Sequence, residues 1–374
     1  LYSHAYMIFK KPLYASVIKQ SIFFIEKTFS HEEGGFYAAM DADSEGEEGK
    51  YYTWKNSELS DISNKDYSWF SKYYRISKAG NWEDGKNILH YTPGAEEHKG
   101  LKKIKATLLK LRNKKIPPAL DTKILTSWNA LMINALLDAY KALGEKAYLN
   151  RALKNARFIE SKMLTRDHKL YRNYSNGQPG INGFLDDYAF LANAFLNLYQ
   201  ISLDEHWAYL SLELSKNALK NFYDEQNKRF YYNSIEDPDL IIRPSESDDN
   251  VIPSSTAMMI KNLGILSKYF GLSDFEHIRD PVLDSMLSTT IAKPVFHSFW
   301  AQELLQEYKT AKEIVIIGDQ AHKLNKELQR HYLPGIYTSG AKKEGTFFNF
   351  GYKYIAGKTL IYVCVNKSCH APVE

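Results

Sequence analysis

Along most of the chain apolar residues recur three and four positions apart, the period of a helix with one buried face. Pro12 suits a first helical position, and the apolar stripe runs on through 13–29. A second stripe, 127–144, starts at Ser127 as a cap and stops at Gly144, and a third, 145–164, follows at once. The two therefore make a hairpin. Segments 185–202 and 204–223 make the next hairpin, and 254–271 with 274–291 the one after; a further helix, 295–310, follows Pro294.

The connections between hairpins share a plan. "KLYRNYSNGQPGINGFLDD" (169–187) and "RFYYNSIEDPDLIIRPSESDDN" (229–250) each carry an aromatic strand-like run, a polar loop, and paired acids just before a helix. The spacing between them is about sixty residues, which marks a repeat of helix pairs. "GGFYAAMDADSEGEEGKYYTW" (34–54) is a longer version, and "PPALDTKILTSW" (117–128) a related one with Asp121 ahead of its helix. A lone hairpin cannot bury its apolar stripe, so neighbours must stack. Their strand-bearing loops then gather on one rim. The pattern predicts a mainly α protein, an α/α toroid whose acid-bearing rim surrounds a funnel, with an open solenoid as the alternative. Residues 55–116 read as an insertion of short helices, ending in a basic helix (99–115) whose lysines form a solvated face. The tail changes character. "KEIVIIGD" (312–319) and "TLIYVCV" (359–365) read as strands around a helix at 320–331. The expected division is a toroid domain, 1–310, and a small α/β appendage, 311–374.

Composition narrows the partners. The 374 residues are 44% hydrophobic and 25% charged, and the net charge of +4 is too mild to imply nucleic acid. No apolar run is long enough for a bilayer-spanning helix, so a cytoplasmic protein without a membrane partner is expected. The chain begins without Met, and the start of the protein is expected to be missing. Cys364 and Cys369 are spaced C-x4-C, neither a redox C-x-x-C nor a zinc knuckle, and read as two thiols in a reducing compartment. The turn at Gly318-Asp319 lacks G-x-G-x-x-G, so no dinucleotide or other cofactor is expected. Aromatic residues reach 14%, with 27 Tyr and 19 Phe. Such rings line wet concave sites, or simply fill a large helical core.

The acids carry the candidate chemistry. From Asp41 the loop reads D-A-D-S-E-G, like the first half of a calcium loop, but position twelve is Tyr52 rather than Glu and the flanks are strand-like. An EF-hand is not expected; a looser calcium or magnesium site stays open, and no metal ligand is assigned. The catalytic reading uses more of the sequence. Asp41, Asp43, Asp121, Asp186, Asp187 and Asp249 recur at equivalent rim positions, where opposed carboxylates suit glycoside chemistry. Tyr37, Trp54, Trp128, Tyr174 and Tyr188 offer faces on which a sugar ring stacks. The competing reading is that each Asp caps its own helix. Histidines suit the proton shuttling of an epimerase, but His31, His206, His297 and His331 do not share the acids' repeat position, and His297 reads as a structural, hydrogen-bonded ring.

Five motifs in order, "GGFYAAMDADSEGEEGKYYTW", "DTKILTSWNALMINAL", "GFLDDYAFLANAFLNLY", "DDNVIPSSTAMMIKNL" and "YVCVNKSCHAP", resemble the C-terminal helical region of the YyaL-type, spermatogenesis-associated thioredoxin-domain family. The resemblance covers essentially the whole chain. It implies an α/α toroid of the six-hairpin-glycosidase and N-acylglucosamine-2-epimerase kind. It also implies a thioredoxin-like domain and further toroid helices ahead of "LYSHAYMIFK", so the ring is expected to be incomplete here. The family pattern has Asp-Asn where this chain has Ser3-His4. What these readings imply is a glycosidase-like, epimerase-like or sugar-binding domain with a small-molecule or glycan ligand. The rival is a non-catalytic ligand- or peptide-binding partner of the thioredoxin-like domain.

Overall fold

The computed structural model describes residues 1–96, 98–237, 242–309, 312–343, 352–365 and 368–374. Residues 238–241 of the second predicted connection, the expected domain boundary at 310–311, and 366–367 of the last family-like motif lie outside them. The helical period becomes a series of antiparallel pairs. α1 (Tyr2–Phe9) and α2 (Pro12–Phe29) open the chain. A separate compact unit, Ala38–Thr122, follows and carries α3 (Asn56–Ser63), α4 (Tyr67–Tyr73) and α5 (Leu101–Arg112). The first unit resumes with α6 (Thr126–Leu143), α7 (Lys146–Lys162), α8 (Leu185–Ser202) and α9 (Glu205–Phe222). It goes on through α10 (Ser255–Phe270), α11 (Ser273–Ser285), α12 (Leu287–Ala292), α13 (Ser298–Lys309) and α14 (Ala321–Leu328).

The boundaries have local causes. α6 ends at Gly144, which takes φ 74° and returns its N–H to Tyr140 O; only glycine adopts this left-handed stop cheaply. Asp204 and Ser254 cap α9 and α10 through their side chains. Two expectations are corrected. Ser127 does not cap α6, which starts one residue earlier; its backbone N–H is held by Asp187 instead. The helix expected over 274–291 breaks at Met286 into α11 and α12.

Within the first unit α1, α6, α8, α10 and α13 lie side by side in that order, and α2, α7, α9 and α11 back them. This is the α/α toroid architecture. α8 is central, and nearly every one of its residues is buried. The core between the layers is aromatic and aliphatic, with Phe190, Phe195, Phe222, Tyr199 and Tyr269 wholly or almost wholly buried, each such ring stabilising by about 1.5–3 kcal/mol. Gly264 lets α11 close on α10: a β-carbon there would sit 2.9 Å from Arg279 Nε. Arg279, itself buried, pairs with Asp280 and with Glu307 of α13.

The predicted strand-bearing connections are present. An antiparallel hairpin, Tyr171–Ser175 with Gln178–Asn182, precedes α8, and the short pair Tyr223–Asp224 with Arg229–Phe230 precedes α10. The tail forms the expected small sheet around Lys312–Gly318, parallel to Ile336–Ala341 and antiparallel to Thr359–Val365. It joins the helices in one unit: Tyr269 Oη donates to Thr338 O at 2.8 Å, and Asn325 Nδ2 to Gln200 O at 2.8 Å. Cys364 and Cys369, expected as thiols, form a disulfide. The antiparallel register makes them direct partners, which the C-x4-C spacing alone does not reveal.

The unit Ala38–Thr122 has its own core of Trp54, Leu59, Phe70, Tyr73, Ile104 and Leu108. The acidic loop is a small hairpin there, Asp43–Ser44 against Glu47–Glu48.

Candidate functional site

The first turn of α8 holds Asp186 and Asp187. Asp187 is fully buried. One of its oxygens accepts the Phe184 N–H at 2.9 Å, closing its own helix start. The other accepts the Ser127 N–H at 2.9 Å and so reaches the start of α6. Arg172, from the preceding strand, donates to Asp186 at 3.0 Å and to Asp187 at 3.1 Å. Two buried carboxylates thus share one guanidinium. Burial first, and the neighbouring Asp186 second, push the Asp187 carboxyl up to about 8, against the pull of Arg172 and the two backbone donors. Arg172 lies 4.6 Å from the Phe184 ring, which packs at 5.1 Å on Tyr232. Trp128, one residue from Ser127, is 44% exposed.

The same device recurs one pair further on. Asp249 accepts the Ser254 N–H at 2.9 Å and the Phe299 N–H at 2.7 Å, tying the start of α10 to that of α13. Beside it Asp248 meets Nε2 of the buried His297 at 3.1 Å, and Nδ1 of that ring meets Lys293 O at 2.9 Å. His297 is thus hydrogen-bonded at both ring nitrogens.

The other expected site residues are distributed as follows. Asp186 and Asp187 come together with Arg172. Asp41, Asp43 and Asp121 belong to the Ala38–Thr122 unit, where Asp41 accepts the Asp43 N–H at 3.3 Å and Asp121 pairs with Ala39 across two short strands. Among the described residues no group of three or more His, Cys, Asp or Glu is arranged to hold a metal ion. Trp54 is buried beneath Lys115, whose Nζ lies 4.1 Å from the ring centre. Tyr174 is buried against Phe158, and the Tyr188 hydroxyl accepts the Leu170 N–H at 2.9 Å. Tyr37 is half-buried against His31.

Sequence reasoning missed a second polar region, along the later turns of α6 and α8 and the earlier turns of α10 and α13. There α1, α6, α8, α10 and α13, together with residues 328–338, enclose a cavity of ≈ 370 Å³. Its wall is polar. Asn197 Nδ2 donates to Asn134 Oδ1 at 2.8 Å, Asn134 Nδ2 to Asn193 Oδ1 at 3.2 Å, and Asn193 Nδ2 to Asn262 Oδ1 at 3.0 Å. His4 Nε2 lies 3.1 Å from Asp138, with Lys141 at 3.7 Å. Burial pushes the Asp138 carboxyl up, but the His4 hydrogen bond and the nearby positive charges more than reverse this and hold it below its ordinary value. The signal was in the sequence: Asn134, Asp138 and Lys141 correspond, at one constant offset, to Asn193, Asn197 and Gln200 on otherwise apolar helices.

No protein-family model matches the chain. Known proteins do align with it along its whole length. The chain resembles the C-terminal part of spermatogenesis-associated protein 20. Identity to the human protein is 26%, covering 100% of this chain and 55% of the relative. An uncharacterised Caenorhabditis elegans protein is 26% identical, covering 92% of this chain and 54% of that one. The chain therefore spans about half the length of the curated relatives it matches. Solved structures with a similar trace include a sugar epimerase from a ruminal bacterium, at 15% identity and a TM-score of 0.36, covering 72% of this chain and 69% of that one. Another is a family 76 glycoside hydrolase (mannosidase) from Bacteroides thetaiotaomicron, at 11% identity and a TM-score of 0.40, covering 72% and 70%.

Proposed function

We propose that the hairpin array is a carbohydrate-transforming toroid, of glycosidase-like or epimerase-like reaction class, with its acid–base group at the helix-start rim. One observation carries this reading: Asp186 and Asp187 share Arg172, and burial with the neighbouring Asp186 pushes the Asp187 carboxyl up to about 8. Two carboxyls that share one guanidinium, one of them holding its proton above the ordinary range, form the kind of pair that proton transfer to and from a sugar oxygen or carbon uses. Asp186 has the more accessible edge and is the acid–base candidate; Asp187 is the positioning residue, its backbone N–H donating to Asp186 Oδ1 at 3.0 Å. Trp128 supplies an exposed stacking face nearby. Asp249 supports the same rim by holding two helix starts. Asp41, Asp43 and Asp121 take no part in this reading.

The test is turnover of a panel of mono- and disaccharides, followed by the anomeric proton signals in NMR. Asp186→Asn should lower the rate by about a hundredfold or more. Turnover unchanged in Asp186→Asn, or absent across the panel in the unmodified protein, sinks the reading.

A second reading, a ligand- or peptide-binding partner of a thioredoxin-like domain, is favoured by the Cys364–Cys369 disulfide, whose second sulfur sits on an exposed strand. Reduction by a thioredoxin-type dithiol, followed by mass spectrometry, should convert it to two thiols. Resistance to such reduction in the folded protein removes that reading.

A further inference from the structure

We propose that the chamber between the inner helices and residues 328–338 is a recognition site for a small neutral polyhydroxylated molecule of mono- or disaccharide size. The centre of a helix bundle is normally filled by Leu, Ile and Val. Here the positions facing the axis are Asn134 and Asp138 on α6, Asn193 and Asn197 on α8, Lys261 on α10, and Gln306 on α13. On α6 and α8 these positions form one polar stripe on an otherwise apolar helix, so there the chamber is polar by placement rather than by exposure alone. Asn193 is only 3% exposed and Gln200 8%, yet both line it. Buried amides cost stability relative to a packed apolar core, and a polar chamber of this size is what a ligand site looks like.

The chemistry of the wall selects the ligand. Amide side chains present donors and acceptors together, and so does a hydroxyl. The charged groups are already matched to one another. Lys141 and His4 face Asp138, and Lys261 lies 3.9 Å from the buried Glu303. That leaves His331 as the one cationic side chain of the wall without an acidic partner among the described residues, a weak basis for holding a phosphate or sulfate. Apolar side chains, among them Met7, Met258, Ile265 and Leu333, complete the wall. Phe299, beneath Lys261, together with Tyr332 and Tyr337 gives the ring faces on which a sugar packs. Tyr337 also donates to Gln306, fixing that amide at the wall. The mouth opens past Gln302 and Tyr332, both exposed. The inference takes its ligand class from the carbohydrate reading; Asp186 and Asp187 are not among its residues, and its one link to the rim acids is the Phe299 N–H held by Asp249.

The experiment is saturation-transfer NMR and thermal shift on the full chain, with cellobiose, D-mannose and D-glucose as probes and inorganic phosphate as the contrast. At least one sugar should bind at millimolar concentration, and phosphate should not. Gln302→Ala changes an exposed side chain for which the structure shows no hydrogen bond, so the fold is retained; it should weaken sugar binding about tenfold. Asn197→Leu should abolish binding while the protein still melts cooperatively. Asp186→Asn should leave the affinity unchanged while removing any turnover. Binding of no probe, binding of phosphate alone, or equal affinity in Gln302→Ala and Asn197→Leu overturns the proposal. Turnover that survives Asp186→Asn counts against the rim reading alone and leaves the chamber standing.

Discussion

Ahead of α10 and in the first turn of α8, the aspartates Asp249 and Asp187 are engaged with backbone N–H groups; around the chamber the polar side chains are mostly amides, several of which bond to one another. Asp187 and Asp249 each close the start of one helix and reach a neighbouring one. Asn134, Asn193 and Asn197 satisfy no helix terminus. The difference teaches how to weigh a polar residue inside a fold. An acid at a helix start has a mechanical reason to be there, whatever else it does. An amide facing a chamber has none, and so points more directly to a bound molecule.

That contrast can be broken by experiment. The largest effect is expected at Arg172. Arg172→Met leaves the buried Asp186–Asp187 pair without its guanidinium and should cost about 3–5 kcal/mol in urea unfolding, as breaking one side of a buried ion pair does. A loss under 1 kcal/mol would mean that the rim charges are not the structural set described. Next comes pH. The Asp187 carboxyl is raised, so the folded protein keeps a proton that the unfolded chain has released between the ordinary value of 3.8 and about 8. Its contribution to stability should therefore fall as pH rises through that window, and level off above it. Melting temperature against pH shows this slope, and Asp187→Asn should flatten it. Asp249→Ala removes a shared cap and should cost about 1–2 kcal/mol. The smallest effect belongs to the chamber: Gln302→Ala should change stability by no more than about 0.5 kcal/mol. If Gln302→Ala cost as much as Asp249→Ala, the two regions would not differ in kind.

The hairpins were legible because their apolar stripes run for sixteen to eighteen residues in most cases, long enough to fix the period. α1 was not, since eight residues hold little more than two turns. Nor was the break at Met286, where neither glycine nor proline stands. At the rim the paired acids stood out, but Arg172 did not. It lies in a strand 14 positions ahead of Asp186, and only the turn of the hairpin brings it back. The chamber amides were hidden for another reason. Single Asn residues among alanines and leucines look like ordinary helix surface until neighbouring helices are placed around them. The disulfide depended on strand register, which spacing does not fix.

Ala38 donates its N–H to Asp121 O at 3.2 Å, and Ala39 stands opposite Asp121 on paired strands. Entry and exit of the whole 38–122 segment are thus fastened together like the neck of a purse. Such a loop can lengthen, shrink or be exchanged over evolution with little disturbance to the sequence on either side, and a short glycine-serine bridge across that neck is the natural way to ask what the pouch contributes.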